Sequence, residues 1–182
     1  MLSAIHLLFC NDLDDSKDEH YSMLESKLEN KIPPPIVTVI FAFLMWAIVL
    51  LTSNDKIISD TTLLGIKFIA TGLFLFLGIF SAIAGVVSFK QAKTTVNPLK
   101  PDTASALVTS GMFNCSRNPM YLGMALSLCA WACYLASLWS LLGIVGFMLY
   151  MQRFQIAPEE RALEGIFGQT FIDYKKRVRP WI

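Results

Sequence analysis

Residues 120–152 read MYLGMALSLCAWACYLASLWSLLGIVGFMLYMQ, an unbroken run with no acid, lysine or arginine. A helix crosses the hydrocarbon of a bilayer with roughly 20 apolar residues, within a range of about 17–25. The run is too long for one such helix. A tight turn near Ser137 divides it into blocks Met120–Ala136 and Leu138–Gln152, which fold back on each other as a helical hairpin. Inside lipid every backbone N–H and C=O needs a partner within the protein, so each block is helical.

Two further blocks precede this pair. Ile36–Thr52 carries no charge, and Leu63–Phe89 carries only Lys67, near its start, where a long side chain snorkels to the interface. The fold expected is all-α, a polytopic membrane protein of four transmembrane helices with a cytosolic C-terminal helical tail. Composition agrees: 54% of the 182 residues are hydrophobic and 16% charged, against about a quarter charged in soluble domains. No dense basic face exists outside the last residues, so a nucleic-acid partner is not expected.

Charge sets the orientation. The connection between the second and third blocks holds Lys90, Lys93, Lys100 and Arg117 against Asp102, and the tail holds Arg153, Arg161, Lys175, Lys176, Arg177 and Arg179. The opposite connections hold Asp55, Lys56 and Asp60, or no charge at all. Basic connections stay cytosolic, which puts both termini and any polar chemistry on the cytosolic face of a multi-pass protein, in a bacterial inner membrane or its equivalent.

Residues 1–32 read as an acidic extension, a surface helix or a disordered segment, and residues 33–182 as the membrane domain. Ile5–Cys10 is apolar, but it is short and no basic residue precedes it, so it fails as a signal peptide. Met23 is an alternative start. Pro33–Pro35 form a stiff lead-in to the first helix. Cys129 and Cys133 lie one turn apart within a span and read as packing residues. His6 and His20 both fall in the extension, so no metal site and no Ser-His-acid set is expected.

Two polar segments carry the chemistry. In Ser116-Arg117-Asn118-Pro119-Met120-Tyr121-Leu122-Gly123, Asn118 before Pro119 reads as an N-cap with proline in the first turn. The helix start and Arg117 can receive a carboxylate, or Arg117 can bind lipid phosphate and Asn118 merely cap. In Arg153-Phe154-Gln155-Ile156-Ala157-Pro158-Glu159-Glu160-Arg161-Ala162-Leu163-Glu164, Pro158 is expected to break or kink the fourth helix. Glu159 and Glu160 then stand in a first helical turn, which the helix dipole alone explains. Their place at the membrane surface, with Arg153, also marks a functional site. Lys175–Arg179 read as a membrane-surface and topology signal.

These two segments, with Phe167-Gly168 and Tyr174 after them and Thr94-Thr95-Val96-Asn97-Pro98-Leu99-Lys100-Pro101 before, resemble the isoprenylcysteine carboxyl methyltransferase family in its prokaryotic branch. More broadly they are similar to the membrane phospholipid methyltransferases. The likeness spans roughly Pro33 to Ile182. The family's Arg-His-Pro stands here as Arg117-Asn118-Pro119, which removes a titratable imidazole and leaves a hydrogen-bonding amide.

The resemblance implies S-adenosylmethionine as cofactor, with Val108, Gly111, Arg117, Asn118, Tyr121, Glu159 and Glu160 as its binding residues. Arg117 and the helix start suit its carboxylate, Glu159 and Glu160 its ammonium or ribose hydroxyls. Tyr121 suits a ring contact or a hydrogen bond, and the backbone from Val108 to Gly111 the adenine. Arg153 and Glu160 are the catalytic candidates, with Arg153 orienting the acceptor. A carboxylate acceptor is ionised at neutral pH and needs no general base, which favours isoprenylcysteine-type O-methylation of a lipophilic or lipid-linked substrate among membrane lipids. Phospholipid N-methylation, thiol S-methylation and a non-enzymatic transport or assembly module remain as alternatives, and the oligomeric state is open.

Reporter fusions after residue 30, within 95–110 and at residue 182 are expected to report the cytosol, and one at Asp55 the opposite side. A C-terminus on the far side would overturn both the four-span topology and the placement of the polar segments.

Overall fold

The computed structural model describes residues 32–52, 61–92 and 106–182. The extension up to residue 31, the connection with Asp55, Lys56 and Asp60, and the loop with Lys93, Lys100 and Asp102 lie outside the described residues, as do residues 94–101. Among the described residues every regular element is helical. Helix α1 spans Pro34–Thr52 and α2 spans Thr61–Gln91. A 3-10 turn at Gly111–Asn114 precedes α3, Pro119–Leu135. A second 3-10 turn, Leu138–Ser140, leads into α4, Leu141–Met151. A π-helical turn, Gln152–Ile156, joins α4 to α5, Ala157–Phe167, and α6 spans Gln169–Arg177.

Two of these helices, α1 and α2, are long and apolar enough to cross a membrane, while α3 is an apolar helix of 17 residues. Only 11% and 22% of the two long apolar windows are buried inside the protein. Phe43, Ile69, Phe76, Phe80 and Ile83 all point outward. A soluble protein hides such helices in its core; here the apolar surface is on the outside, as lipid requires. Two hydroxyls in the apolar helices bond back to their own backbone: Thr38 of α1 to the Pro34 carbonyl at 3.0 Å and Ser127 of α3 to that of Gly123 at 2.9 Å. Each is thereby satisfied without water.

The hairpin expected near Ser137 is present, with Ala136 in the left-handed region (φ 51°) and its N–H bonded to the Ala132 carbonyl. Helix α3 is the centre of the fold. Its Tyr121, Ala125, Leu128 and Ala132 form one core with Val37 and Met45 of α1, Phe147 and Met151 of α4, and Ile156. The Trp131 indole donates to the Ala42 carbonyl of α1 at 3.0 Å, the partner that a half-buried indole needs. On its other side α3 meets α2 along small residues. A Cβ on Gly123 would come within 2.6 Å of the Gly78 carbonyl oxygen, so only glycine allows the backbones this close. The buried Ser81 hydroxyl donates to the Pro119 carbonyl at 2.7 Å in the same seam. Lys67 rests 4.9 Å from the centre of the Tyr134 ring, near the C-terminus of α3.

Of the break or kink expected at Pro158, the break does not occur, and the distortion falls in the turn ahead of it. The helix runs on through it because the turn ahead of it widens: the Ala157 N–H donates to the Gln152 carbonyl, five residues back. Pro158 has no N–H to give, and its ring would crowd the carbonyl four residues earlier in a regular α-helix. The π turn absorbs both defects. A smaller cluster of Phe171, Tyr174 and Val178, with Leu107, Leu163 and Phe167, then ties α5 and α6 to the segment before the first 3-10 turn. Between α5 and α6, Gly168 takes φ 51° and ψ −127°, a conformation essentially restricted to glycine.

Gly123→Ala is expected to destabilise the protein in detergent by about 1–3 kcal/mol through overpacking of the α2–α3 seam. Gly65→Ala, whose added Cβ meets nothing within 4 Å, should be neutral or stabilising by up to about 1 kcal/mol. Thermal melts of the two variants check the contrast.

Candidate functional site

Four positions on the rod formed by α4, the π turn and α5 face inward in succession. Phe147, Met151 and Gln155 are fully buried, and Glu159 follows one turn later. Residues four apart share a helix face, so this stripe looks towards the start of α3. There the Tyr121 hydroxyl bonds to Glu159 Oε1. The next carboxylate, Glu160, takes Arg117 Nε at 3.0 Å and Nη2 at 2.5 Å on its Oε1, and Lys175 Nζ at 3.3 Å on its Oε2. Lys175 also reaches Glu164 at 2.5 Å. The two polar segments, some forty residues apart in sequence, are one cluster in space.

The C-terminal tail closes this cluster, which no local feature of the sequence announces. Arg117 Nη1 donates to the Lys175 carbonyl at 3.2 Å and the Val178 carbonyl at 2.5 Å, and its backbone N–H donates to the Arg179 carbonyl at 3.0 Å. Ser116 Oγ and Asn118 Nδ2 both donate to the Pro180 carbonyl, at 3.2 and 3.0 Å. Trp181 packs on the core and donates to Gln152 Oε1 at 3.2 Å. Lys175–Arg179 are thus more than a topology signal. The extended backbone after α6 has unpaired carbonyls, and the Ser-Arg-Asn triplet supplies donors for them.

The sequence candidates separate accordingly. Arg117, Tyr121, Glu159 and Glu160 are brought together. Asn118 holds the N-cap position, but its side chain makes no cap bond; the Pro180 carbonyl has claimed its amide. Glu159 and Glu160 stand in the first turn of α5, yet the π turn continues the helix ahead of them. Few free N–H groups are left there for a dipole interaction. Arg153 is exposed on the π turn, off the inward stripe. Val108 is buried, and Gly111 backs onto Ser88 of α2 rather than onto the carboxylates. Gln155 carries no mark of its own in the sequence: its Nε2 donates to the Ile32 carbonyl at 2.9 Å, while its buried Oε1 has no partner among the described residues. An unmet buried acceptor costs about 1–3 kcal/mol. Its fixed i+4 relation to Glu159 was the signal available.

The electrostatics are uneven. Among the described residues no cation pairs with Glu159, whereas Glu160 has two. Burial raises the Glu159 carboxyl from its ordinary 4.5 to about 8; the Tyr121 hydrogen bond opposes the rise and the Glu160 charge adds to it. Arg117 carries five N–H donors, and its four internal bonds leave one on Nη2. Tyr174, whose hydroxyl donates to the Phe113 carbonyl at 2.6 Å, is raised by burial to about 12 and stays neutral. The cluster therefore offers an enclosed carboxyl ready for a cation, beside a positively charged clamp.

Comparison with known proteins gives the arrangement a context. The family model described as phospholipid methyltransferase matches residues 61–170. An uncharacterized protein of Haemophilus influenzae is 43% identical over 63 residues, which are 35% of this chain and the whole of that relative. No solved structure matches.

Because the Glu159 carboxyl is raised in the folded state, it binds a proton there that the unfolded chain has released. Its stabilising contribution is full below about 4.5 and is lost as pH rises towards about 8. Ligand-free protein should lose stability across that window with a slope of at most about 1.4 kcal/mol per pH unit. Glu159→Gln should flatten the slope, as read from melts at successive pH values.

Proposed function

The chain belongs to the phospholipid methyltransferase family, and from that premise we propose that it moves a methyl group from S-adenosylmethionine to a lipophilic carboxylate at the cytosolic face of the membrane. The family makes it a membrane methyltransferase; the isoprenylcysteine-type acceptor, the four spans and the cytosolic termini belong to the proposal. What supports it is the convergence of Arg117, Tyr121, Glu159 and Glu160 at one end of an apolar helical bundle.

The residues present suit the cofactor. Glu159, enclosed and without a cation of its own among the described residues, matches an ammonium. The remaining N–H on Arg117 Nη2 matches a carboxylate, though Arg117 and Glu160 act chiefly by holding each other and the tail. When bound, S-adenosylmethionine supplies an electrophilic methyl on a sulfonium. The chain's own work is placement: methyl transfer is an in-line displacement, so orientation and fixed charge lower the barrier. Arg153, exposed at the membrane end of the π turn, would orient a carboxylate arriving laterally from the bilayer. Such an acceptor is already ionised, so no residue needs to take a proton. The matched family description favours a second reading, an amine headgroup; Glu159, held at about 8, would then be the base within reach.

Purified protein given methyl-labelled S-adenosylmethionine and a membrane lipid extract should yield a labelled lipid. Base treatment should release the label as methanol, the mark of an ester; base-stable label would favour the amine reading, and no labelled lipid would overturn both. Arg153→Ala should abolish turnover while leaving cofactor affinity within about threefold. Arg153→Lys should recover only part of it, because an ammonium lacks the bidentate fork. Full activity in Arg153→Ala would remove this residue from acceptor handling.

A further inference from the structure

We infer that Gln155 is a further ligand-binding residue of this site, its side-chain carbonyl accepting a hydrogen bond from a ligand's primary ammonium held between it and Glu159. The inference rests on the reading of the site as one that takes an S-adenosyl compound.

Gln155 is fully buried, and the two ends of its amide differ in state. Nε2 donates to the Ile32 carbonyl at 2.9 Å, at the lead-in to α1, while Oε1 is buried without a partner among the described residues. The orientation is not arbitrary, because exchanging the two atoms would set Oε1 against the Ile32 carbonyl, acceptor against acceptor. The donor half of the side chain is structural, and the acceptor half is unused by the fold.

Its position narrows the ligand. Gln155 stands one turn before Glu159 on the inward stripe that continues from Phe147 and Met151. Met151 and Ile156 share a core with Tyr121, whose hydroxyl bonds Glu159. The stretch that carries Gln155 is also the one widened into a π turn, a feature frequent at functional sites. In the site so inferred, Gln155 Oε1 joins the bonded pair of the Glu159 carboxyl and the Tyr121 oxygen as an acceptor-rich set. Nearby cations are engaged elsewhere, Arg117 on Glu160 and Lys175 on Glu160 and Glu164. A carboxylate or phosphate would be repelled by such a set. A primary ammonium, with three N–H donors and no acceptor, satisfies it. Two molecules could bring one: the amino-acid end of an S-adenosyl compound, or an ethanolamine headgroup.

Affinities in detergent test this without turnover. The first arm compares S-adenosylhomocysteine with methylthioadenosine, which lacks the amino-acid end. The second compares short-chain phosphatidylethanolamine with phosphatidylcholine. Gln155→Met, similar in length but without the acceptor, should reduce the preference for the ammonium-bearing ligand roughly tenfold in one arm, and that arm names the source. Gln155→Glu, which keeps acceptor oxygens and gives up the donor to Ile32, should retain the preference even where stability falls. An unchanged preference in both arms, or equal weakening of both ligands of a pair, would overturn the inference and leave Gln155 as a tie to Ile32. If Gln155→Met does not fold, loss of the preference in folded Gln155→Glu overturns it instead. Wild-type protein that binds neither adenosyl ligand would retire the S-adenosyl reading itself, with the lipid arm still deciding the role of Gln155.

Discussion

The guanidinium of Arg117 joins three stretches of chain that lie far apart in sequence: the start of α3, the first turn of α5 and the backbone at and after the end of α6. Its side chain is only 9% exposed and that of Glu160 15%, so neither charge is left to water. An ion pair at that depth is maintained only when the remaining donors and lone pairs are also satisfied. The Lys175 and Val178 carbonyls do this for Arg117, and the Lys175 ammonium does it for Glu160. Removing one member would strand the others, at a cost of about 3–5 kcal/mol for a broken buried pair. Because its partners lie in α5 and in the C-terminal stretch, this interaction sets the distance between the two polar motifs and fixes the tail over them.

With Arg117 and Glu160 so committed, Glu159 is differently placed. It has no cation among the described residues, and burial makes its carboxyl hard to ionise, the hydrogen bond from Tyr121 offsetting only part of that rise. Two adjacent glutamates therefore have different surroundings, one bound to Arg117 and Lys175 and one enclosed beside Tyr121. The difference comes from helical geometry, since consecutive residues point about 100° apart on a helix of 3.6 residues per turn. The π turn supports the same division. It carries the helix past Pro158 without a break and so keeps Phe147, Met151, Gln155 and Glu159 in one line.

The membrane explains why the charges are gathered at one end. The outer faces of α1 and α2 are lined with phenylalanine, leucine and isoleucine, and lipid contributes nothing to pulling such helices together. Close packing at glycines does that work instead, backbone to backbone at Gly78 with Gly123 and against the Met45 side chain at Gly143, along with single hydrogen bonds such as Trp131 to Ala42. A bundle held by close fit offers a rigid platform, and the polar cluster is built where its helices emerge.

Much of this was legible in the residues. Uncharged blocks of the right length required helices, the run from Met120 to Gln152 required a turn, and the turn lies at Ala136–Ser137. The pairing of Ser-Arg-Asn-Pro with Pro-Glu-Glu marked the polar site and the family to which the chain belongs. These features are local, set by hydropathy and by backbone chemistry over a few neighbouring positions, and so a sequence determines them alone. The fate of each side chain within the site is not local. Asn118 takes the N-cap position its sequence announces, but its side-chain amide goes to Pro180; Arg117 gives most of its donors to Glu160 and the tail; Pro158 distorts its helix into a π turn without breaking it; Gln155 carries no local mark. Each outcome depends on which donors and acceptors from distant segments compete for the same buried group, and only the tertiary structure decides that competition, because buried polar atoms must be satisfied by whatever partner the fold brings within reach.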